Sequence, residues 1–193
     1  VITDFILRNA LPVNIFTLDT GRLFNATHQV QEATEKKYNT YIDTYFPESN
    51  AVEAYVAKNG INGFYQSVEQ RKSCCTVRKI KPLQRALKDV DLWITGLRSG
   101  QSSNRQQLSL FQYDDAFGLI KFNPLIHWSL EEVVAYLENF EVPQNALHKE
   151  GFVSIGCEPC TRAIQPGEEI RAGRWWWENS KKECGLHLNT TAQ

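Results

Sequence analysis

The hydrophobic residues of this chain fall into short apolar runs separated by longer segments of helical composition. Three such runs, each closed by a glycine or a proline, are residues 11–19, 40–46 and 91–96. The segments of helical composition are residues 2–8, 25–37, 51–58 and 73–88, the last with a break or fresh first turn at Pro82. Short apolar runs bounded by turn signals are typical of buried strands. The pattern therefore predicts strands that alternate with helices.

The second half of the chain predicts a hairpin, a capped helix and a polar tail. Residues 108–113 and 119–122 are expected to pair as a hairpin. Ser129, with Glu132 three positions later, forms a capping box that begins a helix running to about Glu138. One short helix is expected within residues 167–177, and the polar residues 179–193 are expected to be mobile. Together these elements predict an α/β fold with a mostly parallel sheet and helices on both faces.

Composition excludes several classes of function. The chain has 193 residues, 42% of them hydrophobic, which suits one domain of ordinary size with a tail. A net charge of -1 argues against nucleic acid and anionic lipid as partners. No apolar run approaches the roughly 20 residues that span a bilayer. The odd number of cysteines, five, argues against a full disulfide framework and favours a reducing cytoplasm. Composition leaves open whether the chain forms a homo-oligomer.

The five cysteines form a four-plus-one pattern. Cys74 and Cys75 are adjacent, Cys157 and Cys160 form a CxxC, and Cys184 stands alone. Four thiolates from two distant segments suit a 4Fe–4S cluster or a tetrahedral zinc site. Adjacent cysteines on a helix diverge by about 100°, which favours the bulkier cluster over zinc. A redox-active CxxC disulfide, and buried free thiols with a chance spacing, remain as alternatives.

Cys184 has the surroundings of a reactive thiol. Lys181, Lys182 and His187 lie nearby in the sequence, and cations lower the pKa of a thiol. The alternative is a surface thiol without a role.

Two further segments carry candidate ligand-binding residues. Arg171 and Arg174, three apart on the expected helix, would share a face and with Arg162 could clamp a sulfate or phosphate. A solvated basic face is the alternative. Residues 96–105 follow a buried strand, where open α/β sheets place their ligand loops, although an ordinary polar loop is the other interpretation.

These segments together resemble the assimilatory adenosine 5′-phosphosulfate reductases, the iron–sulfur members of the phosphoadenylyl-sulfate reductase family. The resemblance runs from near residue 1 to about residue 188, in the family's order. The matching segments are residues 18–22, 74–79, 95–98 with 101–102, 156–162, 171–178 and 183–187.

The resemblance implies a fold like the adenine-nucleotide-binding domain of ATP sulfurylases and PP-loop synthetases. It also implies a covalent mechanism in which Cys184 attacks the sulfur of adenosine 5′-phosphosulfate, expels AMP and becomes an S-sulfocysteine. A thioredoxin or glutaredoxin-like dithiol would then release sulfite.

The resemblance also implies roles for individual residues. The cluster ligands would be Cys74, Cys75, Cys157 and Cys160. The cations around the sulfuryl group would be Lys79, Arg171, Arg174 and His187. The substrate-binding residues would be Leu18, Gly96, Arg98, Arg105, Arg162 and Trp175.

Two expectations concern domain organisation. The family's first strand and PP-loop, which binds the sulfate end of the substrate, are expected ahead of Val1. Residues 1–165 are expected to form the nucleotide- and cluster-binding domain, and residues 166–193 a C-terminal segment that carries the nucleophile.

Three rival interpretations remain. The first is a reductase of 3′-phosphoadenylyl sulfate, or one that accepts both nucleotides. The second, from a different class, is a non-catalytic iron–sulfur redox module, which would have no use for Cys184. The third is a tRNA-thiolating PP-loop enzyme, against which the near-neutral charge weighs.

Overall fold

The computed structural model describes residues 1–101 and 108–178, which divide into two compact units. One unit combines Val1–Ile15, Asn25–Ile42 and Asp89–Glu150. The other combines Phe16–Phe24, Asp43–Lys88 and the described residues that follow Glu150. The division predicted near residue 165 stays a prediction.

The unit that begins at Val1 contains a mixed three-stranded sheet and three α helices. Its strands are β3 (Leu92–Ile94), β4 (Phe111–Asp114) and β5 (Leu119–Phe122), in the order β3-β5-β4. The pairing of β3 with β5 is parallel, and that of β4 with β5 is antiparallel, as expected for a hairpin. Its helices are α1 (Ile2–Arg8), α2 (Asn25–Tyr38) and α6 (Leu130–Asn139).

The unit that begins at Phe16 contains two short parallel strands and a long helical segment. The strands are β1 (Phe16–Leu18) and β2 (Asp43–Tyr45). The helices are α3 (Ser49–Asn59), α4 (Val68–Cys75) and α5 (Lys81–Ala86). A π-helical stretch, Thr76–Ile80, joins α4 to α5. A 3₁₀ turn, Glu158–Cys160, ends near the core of this unit, which contains four cysteines, Tyr55, Phe64 and Trp175.

Most predicted elements are confirmed, with shorter strands than expected. Ser129 and Glu132 form the predicted capping box at the start of α6. Pro82 lies in the first turn of α5, directly after the π-helical stretch, as predicted for a fresh first turn. None of the helices among the described residues is long and apolar enough to cross a bilayer.

The helix expected within residues 167–177 is wrong. Residues 167–177 form turns and an isolated bridge between Thr161 and Arg174. Gly167 has φ +86° and Trp175 has φ +42°, and both values are incompatible with a right-handed helix. Arg171 and Arg174 therefore do not share a helical face.

A buried carboxylate joins the three helices of the unit that begins at Val1. Asp4 of α1 accepts hydrogen bonds from Tyr38 of α2, at 2.6 Å, and from Tyr136 of α6. Arg8 lies 3.5 Å from the same carboxylate and donates to Tyr136. Burial alone would raise the pKa of Asp4, but the two tyrosines and Arg8 outweigh it and hold that pKa below its usual value.

We expect Asp4→Asn to lower the free energy of unfolding by about 1–3 kcal/mol at neutral pH, because it removes a charged acceptor from buried donors. A carboxyl whose pKa is lowered in the folded state stabilises the protein above its unfolded pKa, and this contribution is lost as pH falls below about 4. Urea unfolding at pH 7 and below pH 4 measures both effects. The exposed Asp43→Asn is the matched control, and equal losses in both variants would contradict the prediction.

Candidate functional site

Four cysteines from two distant segments line one buried pocket. Cys74 and Cys75 end α4, and Cys157 and Cys160 flank the 3₁₀ turn Glu158–Cys160. Within the described part of the chain none of the four is paired in a disulfide, and each is no more than 9% exposed. They line the pocket together with Phe64, Arg71, Arg78, Lys79 and Trp175. The predicted quartet is thus brought together by the fold.

Local folding explains how each pair reaches the pocket. Ser67 caps the first turn of α4 by accepting from the backbone of Gln70, which fixes the start of the helix that ends at the tandem cysteines. At the second cysteine pair, Leu23 and Cys157 form an isolated antiparallel β-bridge, and the backbone N–H of Glu158 donates to the carbonyl of Arg22. These bonds tie the CxxC turn to the segment that follows β1.

Each of three thiols has its own hydrogen-bond donor. Arg78 donates to Cys74, and Arg71 donates to Cys75. Lys79 bonds to Cys157, whose sulfur also lies 3.2 Å from the hydroxyl of Thr20. The pocket therefore concentrates positive charge beside sulfur, which stabilises thiolates.

The thiols differ in how burial and charge balance. Burial alone would raise the pKa of Cys157, but Lys79 and Thr20 outweigh it and lower that pKa below its ordinary value. Burial raises the pKa of Cys74, against the opposing effect of Arg78. Burial, with the neighbouring cysteines, raises the pKa of Cys160 to about 12. A cation that binds the quartet has to displace protons from the less acidic thiols.

The Trp175 ring packs against two guanidinium groups. Its ring centroid lies 4.5 Å from Cζ of Arg71 and 4.7 Å from Cζ of Arg174, and the residue is 1% exposed. Its indole Nε1 is buried and has no hydrogen-bond partner among the described residues. A buried donor without an acceptor is costly, and this one lies in the wall of the thiol pocket. This placement puts Trp175 at the thiol pocket, and its predicted contact with a nucleotide stays a prediction.

The structure brings Lys79 and Arg174 to the thiols but engages Arg162 elsewhere. Arg162 forms a bidentate ion pair with Glu168, with N–O distances of 2.8 and 2.7 Å. Binding of an anion by Arg162 would require exchange of that pair. Arg171 is half-buried in the turn that precedes Arg174.

The remaining predicted residues lie in different parts of the chain. Leu18 ends β1, in the same unit as the thiol pocket. Gly96 and Arg98 follow β3 in the other unit. Gly96 is exposed, and a β-carbon there would meet no atom within 4 Å. Three predicted residues, Arg105, Cys184 and His187, lie outside the described residues.

Sequence reasoning missed several residues of the pocket. Arg71 lies four positions before Cys75, and Arg78 lies four positions after Cys74, so helical spacing alone places each cation beside a cysteine. Glu178 pairs with Arg71 at 2.6 Å, and both side chains are buried. That pairing joins residues 107 positions apart, and no local pattern reveals it.

The four sulfurs surround a pocket and do not meet at a point. Within residues 1–101 and 108–178, no three His, Cys, Asp or Glu side chains are grouped closely enough to hold one metal ion. The four cysteines nevertheless line the same pocket.

Known proteins resemble the chain over most of its length. Residues 1–163 match the family described as phosphoadenosine phosphosulfate reductase domain. A Sinorhizobium fredii protein named adenosine 5′-phosphosulfate reductase is 55% identical over 100% of this chain and 77% of its own length. A Burkholderia cepacia protein of the same name is 51% identical over 98% of this chain and 76% of its own.

Solved structures confirm the predicted α/β fold. The crystal structure of phosphoadenylyl-sulfate reductase from Candida auris has a TM-score of 0.69 and 30% identity, covering 83% of this chain and 76% of its own. A Candida glabrata FMN adenylyltransferase has a TM-score of 0.52 and 16% identity, covering 90% of this chain and 56% of its own, and it supports the fold alone.

We expect Glu178→Gln to lower the free energy of unfolding by about 3–5 kcal/mol, because it leaves the Arg71 guanidinium buried without its carboxylate. The matched control is Glu168→Gln, which breaks a pair that is about one-third exposed. The control should cost about 0–1 kcal/mol. Urea unfolding measures both, and a smaller loss for Glu178→Gln than for the control would refute the prediction.

Proposed function

The chain belongs to the phosphoadenosine phosphosulfate reductase family, and we propose that it reduces adenosine 5′-phosphosulfate to sulfite and AMP through an S-sulfocysteine on Cys184. Relatives that are 51–55% identical over nearly the whole chain bear the name of this activity. The predicted enzyme class, an oxidoreductase of sulfate assimilation, is thereby confirmed. The observation that carries the proposal is the buried pocket of four thiols beside Lys79 and Arg174.

The proposed reaction has two steps. The Cys184 thiolate attacks the substrate sulfur, a sulfur–sulfur bond forms, and the sulfur–oxygen bond to AMP breaks with its electron pair leaving on AMP. A dithiol reductant then attacks the Cys184 sulfur, and sulfite leaves with the electron pair. The second thiol of the reductant resolves the mixed disulfide, so the dithiol is oxidised and Cys184 is restored.

Positive charge supports the first step. Two anions approach one another when a thiolate attacks a phosphosulfate, and fixed cations stabilise the charge that develops. Lys79 lines the thiol pocket, and Arg174 acts electrostatically on Cys157. Arg171 and His187 complete the cationic set that we assign to the sulfuryl group.

We assign the thiol pocket to a 4Fe–4S cluster held by Cys74, Cys75, Cys157 and Cys160. Three observations support the fit: four buried sulfurs from two segments, hydrogen-bond donors at three of them, and the indole N–H of Trp175 without an acceptor. When bound, the cluster would supply a structural centre and a local electrostatic field.

We also propose the remaining substrate contacts, the reductant and the cellular location. We assign substrate binding to Leu18, Gly96, Arg98, Arg105, Arg162 and Trp175, and the release of sulfite to a thioredoxin or glutaredoxin-like dithiol. Four free buried thiols suit a reducing compartment, which supports the cytoplasm as the location.

A second substrate has one observation in its favour. The Candida auris protein with a TM-score of 0.69 is named a reductase of the 3′-phosphorylated nucleotide. Its 30% identity is well below the 55% of the Sinorhizobium fredii relative, so the unphosphorylated nucleotide is preferred. Steady-state rates of sulfite formation with each nucleotide separate the two.

We expect the protein, incubated with adenosine 5′-phosphosulfate without a reductant, to gain the mass of one sulfonate on Cys184. Cys184→Ser should abolish the adduct and reduce sulfite formation by at least about 10⁴-fold, because the covalent route is lost. Peptide mass spectrometry locates the adduct.

His187→Ala is the control, since it retains the nucleophile and should still form the adduct at a reduced rate. An adduct on another residue, or unchanged turnover in Cys184→Ser, would refute the assignment and support the non-catalytic redox module.

We expect the purified protein to contain about four iron and four acid-labile sulfide per chain, as a 4Fe–4S cluster requires. Cys75→Ser should lose most of the iron, because the cluster loses a thiolate. Cys184→Ser should keep all of it, because that thiol lies outside the quartet. Iron and sulfide quantification with visible absorption tests this, and zinc in place of iron would overturn the cluster.

A further inference from the structure

Gly156 precedes the cluster ligand Cys157 and lies against the guanidinium of Arg174. A β-carbon at position 156 would lie 2.6 Å from Cζ and 3.0 Å from Nη1 of Arg174, and closer still to Nη2. Such separations are well inside van der Waals contact. The backbone of Gly156 does not have the positive φ that favours glycine, so its conformation is open to any residue. The requirement for glycine is therefore steric.

Arg174 cannot easily move away from an added methyl group. The residue is 6% exposed, and its guanidinium donates to the carbonyl of Ile155 at 3.2 Å. The same guanidinium lies 4.7 Å from the centre of the Trp175 ring. A shift of the guanidinium would break these contacts inside a packed interior, where little space is free to receive it.

The packing of Arg174 against position 156 brings its positive charge close to Cys157. Arg174 acts electrostatically on Cys157, the residue directly after Gly156. Trp175, against which Arg174 packs, lines the same pocket. The guanidinium thus packs against the backbone that precedes one thiol and against the Trp175 ring, which lines the thiol pocket.

We propose that Gly156 is a positioning residue. Because it has no side chain, the Arg174 guanidinium occupies the space that a β-carbon would fill, and this packing holds a cation beside Cys157. The part of this inference that concerns turnover rests on the proposed function. The steric part does not, because it concerns only how the chain packs.

Gly173 provides a matched control with a different cause. A β-carbon there would lie 3.3 Å from the carbonyl carbon of Arg162, and closer to its oxygen. The same backbone segment is held by the bond from the N–H of Arg162 to the carbonyl of Gly173, at 2.9 Å. Truncation of the Arg162 side chain leaves that carbonyl in place, so it cannot relieve the clash.

The test is a pair of double-mutant cycles on the full chain. The first compares Gly156→Ala, Arg174→Ala and their combination, and the second compares Gly173→Ala, Arg162→Ala and their combination. Each protein is unfolded in urea under anaerobic conditions, and kcat and KM for adenosine 5′-phosphosulfate are measured. Residues in contact give non-additive effects in such cycles.

We expect Gly156→Ala to lower the urea midpoint and to reduce kcat/KM by about a hundredfold, the scale of an ångström-sized displacement of a catalytic group. In the Arg174→Ala background the same glycine change should have no further effect on either quantity. In the control cycle, Gly173→Ala should lower the midpoint equally in both backgrounds. If Gly156→Ala does not fold while the double variant does, the proposal is supported.

Equal losses from Gly156→Ala in both backgrounds, or wild-type behaviour of Gly156→Ala, would overturn the proposal. Failure of both the single and the double variant to fold would also overturn it. If the wild-type protein forms no sulfite, the proposed function fails, and the urea cycle still decides the role of Gly156. Additive midpoints in an active enzyme would leave the proposed function standing.

Discussion

One buried guanidinium, that of Arg71, joins the parts of the chain that build the thiol pocket. It pairs with Glu178 at 2.6 and 3.3 Å, donates to Cys75 and stacks 4.5 Å from the centre of the Trp175 ring. An isolated charge in such an interior costs several kcal/mol, so each of these contacts is required by the burial of Arg71. Helix α4, the CxxC turn and the turn at Trp175 are consequently parts of one packed core.

The same electrostatics explains why so many cations surround so few thiols. Four buried sulfurs that bind a metal centre must lose their protons, and burial opposes this at Cys74 and Cys160. Arg71, Arg78 and Lys79 each bond to one thiol and offset the cost where they do so. The pKa of Cys157, which has both Lys79 and Thr20 beside it, is lowered, whereas burial raises the pKa of Cys74 and of Cys160.

Sequence patterns predicted what depends on local chemistry. The capping box at Ser129, the first turn at Pro82, the hairpin and the grouping of the four cysteines follow from residue types at fixed spacings. The sequence patterns did not predict where the strands end, because a strand extends only as far as it pairs with its partner. The strands β1 and β2 pair over three residues. The pairing of Arg71 with Glu178 joins residues 107 positions apart, which no local window contains. The turn that replaced the expected helix is held by backbone bonds from Trp175 to Cys160 and from Arg162 to Gly173, which helical spacing does not predict.

The chemistry proposed for Cys184 requires that sulfur be kept apart from the other four. The quartet is buried to 9% exposure or less, and each member is fixed at or beside a helix or a tight turn. Glu178, held by Arg71, is the last described residue before Cys184 and is itself buried. Six positions separate Glu178 from Cys184 along the chain and span at most about 22 Å when fully extended. In the proposed reaction the Cys184 sulfur has to meet a nucleotide in the first step and a protein dithiol in the second, whereas the four buried thiols have to stay where they are.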